Sequence, residues 1–321
     1  MTADFKVLVT GVGGDIGVNV LRCLQEGAYG PHLVGCDMDP HAFGRDCAPM
    51  FLQCPSASNQ QAYKQFVDSV ILNRNVRYIF PSSENEIRFF HATRCSYGKD
   101  DVHILINNAT ILDHFLDKYL TCVFLKKHGL PHPRTFLLED YSGEMGFPVV
   151  LKKRYGSGSK LVLIVENQGE LDFYKGKYAD EQLVVQEHLG NKDKEYTAGV
   201  FSDGPQTFCI LFRRYLAKDV GITKYAELED GDAIKNLAVK IARASSLKGS
   251  INLQMRKVGQ SFIPFEINPR ISGTAFVRHF FGFKDVEWWL DMVRDLPVRY
   301  VPKYSRGIAV RAVSEVFQDL C

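Results

Sequence analysis

The sequence has no CxxC pair, no HExxH motif, no internal repeat, no low-complexity tract and no long linker. Its eight cysteines, at positions 23, 36, 47, 54, 95, 122, 209 and 321, are scattered. A disulfide framework or thiolate metal site needs paired spacings, so these read as reduced structural thiols of a cytosolic protein. The histidines carry no metal-site motif either, and any metal chemistry has to come from oxygen ligands. No apolar run approaches the ~18 residues of a membrane span. The opening MTADFKVLVTGVGG lacks the basic start and long apolar core of a signal peptide. Charge of one sign is lacking too: 39 basic against 37 acidic residues leave +2. That balance argues against nucleic acid or an anionic membrane as the main partner. The expectation is a soluble, cytoplasmic protein acting on small molecules.

What is present is α/β patterning over 321 residues, about twice the usual domain length. The first hundred residues alternate strands (Lys6–Thr10, His32–Cys36, Val76–Pro81, Val102–Ile106) with helical stretches (Gly17–Leu24, Gln61–Leu72). Such alternation predicts an open parallel sheet whose ligands lie at the strands' C-terminal ends. Apolar spacing then predicts one helix from Asp113 to His128, stopped by Gly129 and Pro131. Beyond it, strands are expected at Pro148–Lys153, Leu161–Val165, Leu183–Glu187, Tyr196–Phe201, Phe208–Tyr215, Ser250–Arg256 and Ser261–Asn268. Helices are expected near Asp232–Ser246 and Asp285–Arg294. The fold class is therefore α/β: an N-terminal open parallel-sheet domain, then an α+β unit forming two lobes.

Two glycine-rich loops stand out. Thr10-Gly11-Val12-Gly13-Gly14-Asp15-Ile16-Gly17 fits TGxxGxxG, with Asp37 placed where a ribose-binding acid would fall. That pattern also occurs in NAD(P)-dependent epimerases and reductases. Those enzymes need Tyr-x-x-x-Lys, and none of the fourteen tyrosines here has lysine four residues later. The loop is left with three readings: a nucleotide site, a substrate or anion at the helix N-terminus, or a tight turn only. The second loop, Lys152-Lys153-Arg154-Tyr155-Gly156-Ser157-Gly158-Ser159-Lys160, offers backbone N–H groups and cations to a polyphosphate but is no Walker A loop.

The sharpest signal is the hairpin SINLQMRKVGQSFIPFEINPR, Ser250–Arg270. Period-two alternation puts Glu266 and Asn268 on one face, oxygen ligands suited to Mg²⁺ beside nucleotide phosphates. Arg270 follows as a partner for a transferring phosphoryl group. Gln254 joins that face only if the hairpin has a three-residue loop or a bulge.

Taken in order, five blocks resemble the ATP-grasp superfamily, most of all the module of the carbamoyl-phosphate synthase large subunit and small carboxylate–amine ligases. They are the glycine-turn domain; Asp117-Lys118 before Gly129–Pro133; Phe147–Lys152; Gln186–Leu189 with Lys194–Thr197; and Asn252–Gln254 with Glu266–Arg270. The resemblance implies a pre-ATP-grasp domain over 1–108, a linker helix and small lobe over 109–186, and a large lobe over 187–321. It implies ATP between the lobes: Glu187 and Leu189 reading adenine, Glu195 on the ribose, Lys118 and Lys152 on phosphates, and Gly156 and Gly158 closing over them. Gln254, Glu266 and Asn268 would hold Mg²⁺ or Mn²⁺, with Arg270 on the γ-phosphate and catalytic together with Lys152. The implied activity is carboxylate–amine ligation through an acyl phosphate, with ADP and phosphate released. Arg214, Ser272, Gly273 and Glu84 are the substrate candidates, although Ser83 and Glu86 also fit a helix cap. Trp288-Trp289 and Phe280-Phe281 read as core or subunit interface, and a homodimer is the implied assembly. The chain departs from the family in a short glycine loop, Lys152-Lys153 where Lys-Pro is usual, and a single ATP-grasp unit. An NAD(P)-dependent epimerase or reductase, or a non-catalytic nucleotide-binding protein, are the alternatives.

Overall fold

A computed structural model describes residues 5–97, 101–156, 161–190, 195–217 and 221–312. The N-terminal part is built from β1 (Lys6–Thr10), α1 (Asp15–Gln25), β2 (Leu33–Asp37), β3 (Met50–Gln53), α2 (Gln60–Arg74), β4 (Val76–Phe80), α3 (Glu84–Tyr97) and β5 (His103–Ile104). Its five strands form a parallel sheet in the order β3-β2-β1-β4-β5. β2 is buried throughout because helices cover both faces. The sequence pattern missed β3, whose four residues, Met-Phe-Leu-Gln, stay partly exposed at a sheet edge and alternate poorly.

The expected single helix Asp113–His128 is two: α4 (Ala109–Phe115) and α5 (Lys118–Lys127). The break has a cause in Asp117. Its carboxylate accepts the Tyr119 and Leu120 N–H groups as the N-cap of α5, and it also binds Arg154 at 2.8 Å. Capping and ion pairing outweigh the continuous apolar spacing.

The small lobe comprises β6 (Thr135–Leu137), β7 (Val149–Lys153), β8 (Val162–Val165), α6 (Gln168–Lys177) and β9 (Leu183–Glu187). Its four strands form an antiparallel sheet in the order β6-β9-β7-β8. The large lobe comprises β10 (Glu195–Ser202), β11 (Thr207–Leu216), β12 (Thr223–Glu229), α7 (Asp232–Ser245), β13 (Gly249–Val258), β14 (Ser261–Asn268), α8 (Ala275–Phe280), α9 (Asp285–Val293) and β15 (Ile308–Val310). Its six-stranded sheet runs β14-β13-β10-β11-β12-β15, antiparallel throughout.

The hydrophobic cores show which parts are joined. One core merges the α1 face of the N-terminal sheet with the large lobe: Val7, Val9, Leu21 and Phe80 pack with Phe212, Phe281, Trp288 and Trp289. Trp288 and Trp289 are thus core residues, and the Trp289 ring meets the Phe80 ring edge-on at 6.3 Å. Of the phenylalanine pair, Phe281 is buried and Phe280 exposed. The small lobe has its own core around Val149, Leu151, Leu171 and Leu183. Among the described residues, no helix is long and apolar enough to cross a membrane.

Candidate active site

The β13–β14 hairpin sets the centre of the site. Val258 pairs with Ser261, so the turn is the tight two-residue loop Gly259-Gln260, with Gly259 at φ +59°. A regular ladder from that turn would set Gln254 opposite Phe265, with its side chain on the face away from Glu266. Instead the register slips at a bulge: Met255 pairs with Pro264, and Gln254 pairs with Glu266. Pro264 has no N–H for the ladder, and the Phe265 carbonyl accepts from Lys152 Nζ at 3.2 Å. The bulge thereby aligns Gln254, Glu266 and Asn268, and Asn252 pairs with Asn268 one step on.

Cations surround this row. Lys152, 4% exposed, donates to Gln186 Oε1 at 2.8 Å, and Gln186 in turn donates to Thr135 Oγ1. Burial pulls the Lys152 ammonium down to about 8; Glu266 opposes that shift and Lys118 adds to it. Burial pushes the Glu266 carboxyl up, but Lys118, Lys152, Asn268 and Arg270 hold it below its ordinary value. Arg270 is half-buried, and its guanidinium donates to Ile271 O at 3.0 Å. Lys118, the first residue of α5, donates from Nζ to Gly156 O at 2.6 Å. Gly158 lies outside the described residues. An oxygen-binding cation fits this donor set: Asn268 Nδ2 donates to Glu266 Oε1 at 3.2 Å, while no protein hydrogen bond among the described residues holds Glu266 Oε2 or Asn268 Oδ1. Gln254 Oε1 accepts from Arg214 at 3.0 Å and keeps a second lone pair. Among the described residues, no group of three or more His, Cys, Asp or Glu side chains converges as a metal cage.

A cavity of about 500 Å³ opens beside this row, between the C-terminal ends of the N-terminal strands and the large lobe. Gln254, Asn268, Arg270, Arg214, Ser272, Gly273 and Glu84 all line it; Lys118, Lys152, Gly156, Glu187, Leu189, Glu195 and Glu266 do not. Glu187 and Leu189 instead sit at and just beyond the end of β9, where the Glu187 carboxylate accepts the Arg134 N–H at 3.0 Å. Both Glu195 oxygens are bound to guanidinium groups, Oε1 to Arg214 at 2.7 Å and Oε2 to Arg256 at 2.8 Å. Arg214 therefore lines the cavity while bridging Gln254, also on its wall, to Glu195. Ser272 accepts from the buried Arg278, which Asp285 holds at 2.6 Å. A Cβ on Gly273 would collide with Asp15. Glu84 is bound by Arg88 at 2.7 Å, and the helix cap belongs to Ser83 and Glu86, whose reciprocal bonds measure 3.0 and 3.3 Å.

Three N–H groups of the first glycine loop are used within the protein. Val12, Gly13 and Gly14 donate their N–H groups to Cys36 O, Asp37 Oδ2 and Gly11 O. The other Asp37 oxygen accepts from Asp39 N at 2.9 Å, so the acid that the epimerase reading assigns to a ribose is already bonded on both oxygens. Sequence reading passed over three contributors to the site: Gln186, Asp15 and Arg311. Arg311 pairs with Asp15 and donates to Gly273 O at 2.7 Å. Its remoteness in sequence left no local signal, whereas Gln186 opened the recognised block Gln186–Leu189 and was given no role of its own there.

Residues 179–316 match the family described as ATP-grasp in the biosynthetic pathway with Ter operon. The arginine-specific carbamoyl phosphate synthase large chain of Bacillus subtilis is 25% identical over 197 residues, 55% of this chain and 19% of that one. The alpha-aminoadipate–LysW ligase LysX of Saccharolobus solfataricus is 30% identical over 112 residues, 31% of this chain and 40% of that one. The chain thus spans less than half the length of either relative. Among solved structures, the N5-carboxyaminoimidazole ribonucleotide synthetase from Thermus thermophilus aligns with a TM-score of 0.75 at 16% identity, over 95% of this chain and 82% of that chain. The biotin carboxylase domain of the Hydrogenobacter thermophilus 2-oxoglutarate carboxylase, in complex with MgADP, ADP and bicarbonate, aligns at 0.75 and 16%, over 93% and 72%.

Proposed function

We propose that this chain, whose fold is that of the ATP-grasp superfamily, is an ATP- and Mg²⁺-dependent carboxylate–amine ligase working through an acyl phosphate. The observation that carries the reading is the bulge-set row of Gln254, Glu266 and Asn268, with Lys118, Lys152 and Arg270 acting on the Glu266 carboxylate, and with Gln254, Asn268 and Arg270 lining one cavity. A purely structural hairpin has no need of a half-buried carboxylate ringed by cations, since a regular ladder is the more stable alternative.

In this reading Lys118 and Lys152 hold ATP phosphates and Arg270 holds the γ-phosphoryl group. Positioning and charge, with little covalent help, suffice for phosphoryl transfer. Mg²⁺ on Gln254, Glu266 and Asn268 would supply charge neutralisation at the phosphate oxygens. A substrate carboxylate oxygen bonds to the γ-phosphorus as the β–γ bridging bond breaks, giving the acyl phosphate and ADP. The amine nitrogen then bonds to the acyl carbon, loses a proton to solvent, and phosphate leaves. Glu187 and Leu189 serve adenine, and Glu195 serves the ribose together with its two arginines. The assembly proposed is a homodimer.

The test is a screen for ADP release with Mg²⁺ and ATP over pairs of small carboxylates and amines, followed by mass spectrometry of any product. ADP release that requires both members of a pair, with one new amide bond per ADP, is the expected result. Turnover independent of both, or hydride transfer with NAD(P)H, would remove the reading.

A further inference from the structure

The cavity beside the hairpin is polarised. Its N-terminal wall, formed by the loops after β1, β2 and β4, carries Asp15, Asp37, Glu84 and Glu86, while its large-lobe wall carries Arg214 and Arg270. Among the described residues, no lysine, arginine or histidine of the N-terminal domain lines it. The four carboxylates are not equivalent. Asp15 and Glu84 are bound by Arg311 and Arg88, neither of which lines the cavity. Asp37 accepts the backbone N–H groups of Gly13 and Asp39, neutral donors that bring no formal charge of their own. Glu86 is bonded to Ser83 N and Tyr63 OH, and burial pushes its carboxyl up, so it adds least.

The opposite wall is not self-sufficient either. Arg214 is engaged by Glu195 and Gln254. Arg270 makes no ion pair within 4.0 Å among the described residues, leaving most of its five donors for a ligand. An anion position therefore faces the ATP side and a cation position faces the N-terminal domain. The start of α1, whose cap makes no side-chain hydrogen bond, carries Asp15 in its first turn, a like charge for any phosphate placed there.

From this polarity we infer that the cavity takes a small amino-carboxylate, its carboxylate beside Arg270 and its ammonium group against Asp37 and Glu84, and that it rejects phosphate esters. The inference rests on the ligase reading for the place of the reacting carboxylate, and it names the substrate class of that site. A second anion in the same pocket would lie against three carboxylates in a partly desolvated space, a like-charge penalty that selects against it.

The experiment is titration calorimetry of the full chain with Mg²⁺ and a non-hydrolysable ATP analogue present. The ligands are three matched series of increasing chain length: ω-amino-carboxylates from glycine to 6-aminohexanoate, the corresponding dicarboxylates, and the corresponding phospho-carboxylates. The best amino-carboxylate should bind at least about tenfold tighter than its dicarboxylate and phosphate counterparts. Glu84→Gln and Asp37→Asn should each narrow that ratio severalfold; Glu84→Gln keeps the case testable should the Asp37 variant fold poorly. Preference for a dicarboxylate or phosphate ester, equal binding of all three series, or no binding by any would overturn the inference. ADP release with a phospho-carboxylate would sink it and leave the ligase reading standing. Tight amino-carboxylate binding with no ADP release under any amine would do the reverse.

Discussion

Two glycine-containing turns in this chain look alike as sequence and differ as chemistry. In the turn after β1 the protein itself takes three N–H groups, at Cys36, Asp37 and Gly11, and Ser82 donates to Gly11 O. The β13–β14 hairpin differs, with a bulge that breaks its own ladder and a carboxylate held below its ordinary pKa by Lys118 and Lys152 from two other elements and by its neighbour Arg270. The lesson is that a ligand loop is recognised by polar groups the fold leaves open, more than by its glycines.

Changes to the hairpin should impair function and spare folding, and changes to the first turn should do the reverse. The largest effect is expected for Glu266→Ala: ADP formation should fall about 10³-fold, a loss on the scale of one key electrostatic group. Its thermal midpoint, read by circular dichroism, should move by only a few degrees. A variant that keeps its turnover would break the comparison.

Next comes Gly17→Ala. A Cβ there would fall on the Gly11 carbonyl, and overpacking of this kind costs about 2–3 kcal/mol. Urea unfolding should show that loss, while the nucleotide affinity of the folded protein stays unchanged.

Lys152→Met sharpens the hairpin side and should lower ATP affinity about tenfold. Lys152 titrates near 8 in the folded chain against 10.5 for the free group, because burial disfavours its charge. Between those values the unfolded chain holds more protons, so this residue's contribution to stability rises with pH across the window and its full cost applies below it. Bound phosphates restore the proton, so ATP binding at pH 8 should take up protons and weaken as pH rises. Calorimetry in buffers of differing ionisation enthalpy measures that uptake, and the methionine variant should abolish it. The smallest effect on stability belongs to Asp37→Asn, about 1 kcal/mol in urea unfolding from weakened bonds to Gly13 and Asp39; because Asp37 also lines the cavity, this variant is the exception that should change ligand preference as well.

The comparison also explains what could be read from the chain alone. The parallel sheet was legible because β1, β2 and β4 are short apolar runs between turn signals. So was the row Glu266–Arg270, through its period of two. The position of Gln254 was not, because a one-residue bulge between Pro264 and Glu266 leaves no mark in the hydrophobic pattern. The break at Asp117 was legible only in part, since its capping role is local but its bond to Arg154 spans 37 residues. Arg311, 296 residues from Asp15, lies beyond any local rule.

The merged core has a consequence for how the molecule comes apart. Because Phe80 and Leu21 share one apolar interior with Trp288 and Phe212, the N-terminal domain and the large lobe cannot open separately without exposing it. In amide hydrogen exchange these two should behave as one cooperative unit, with the small lobe, folded around its own core, exchanging as a second, less protected one. Nucleotide binding would then be seen first as slowed exchange in β7 and β9.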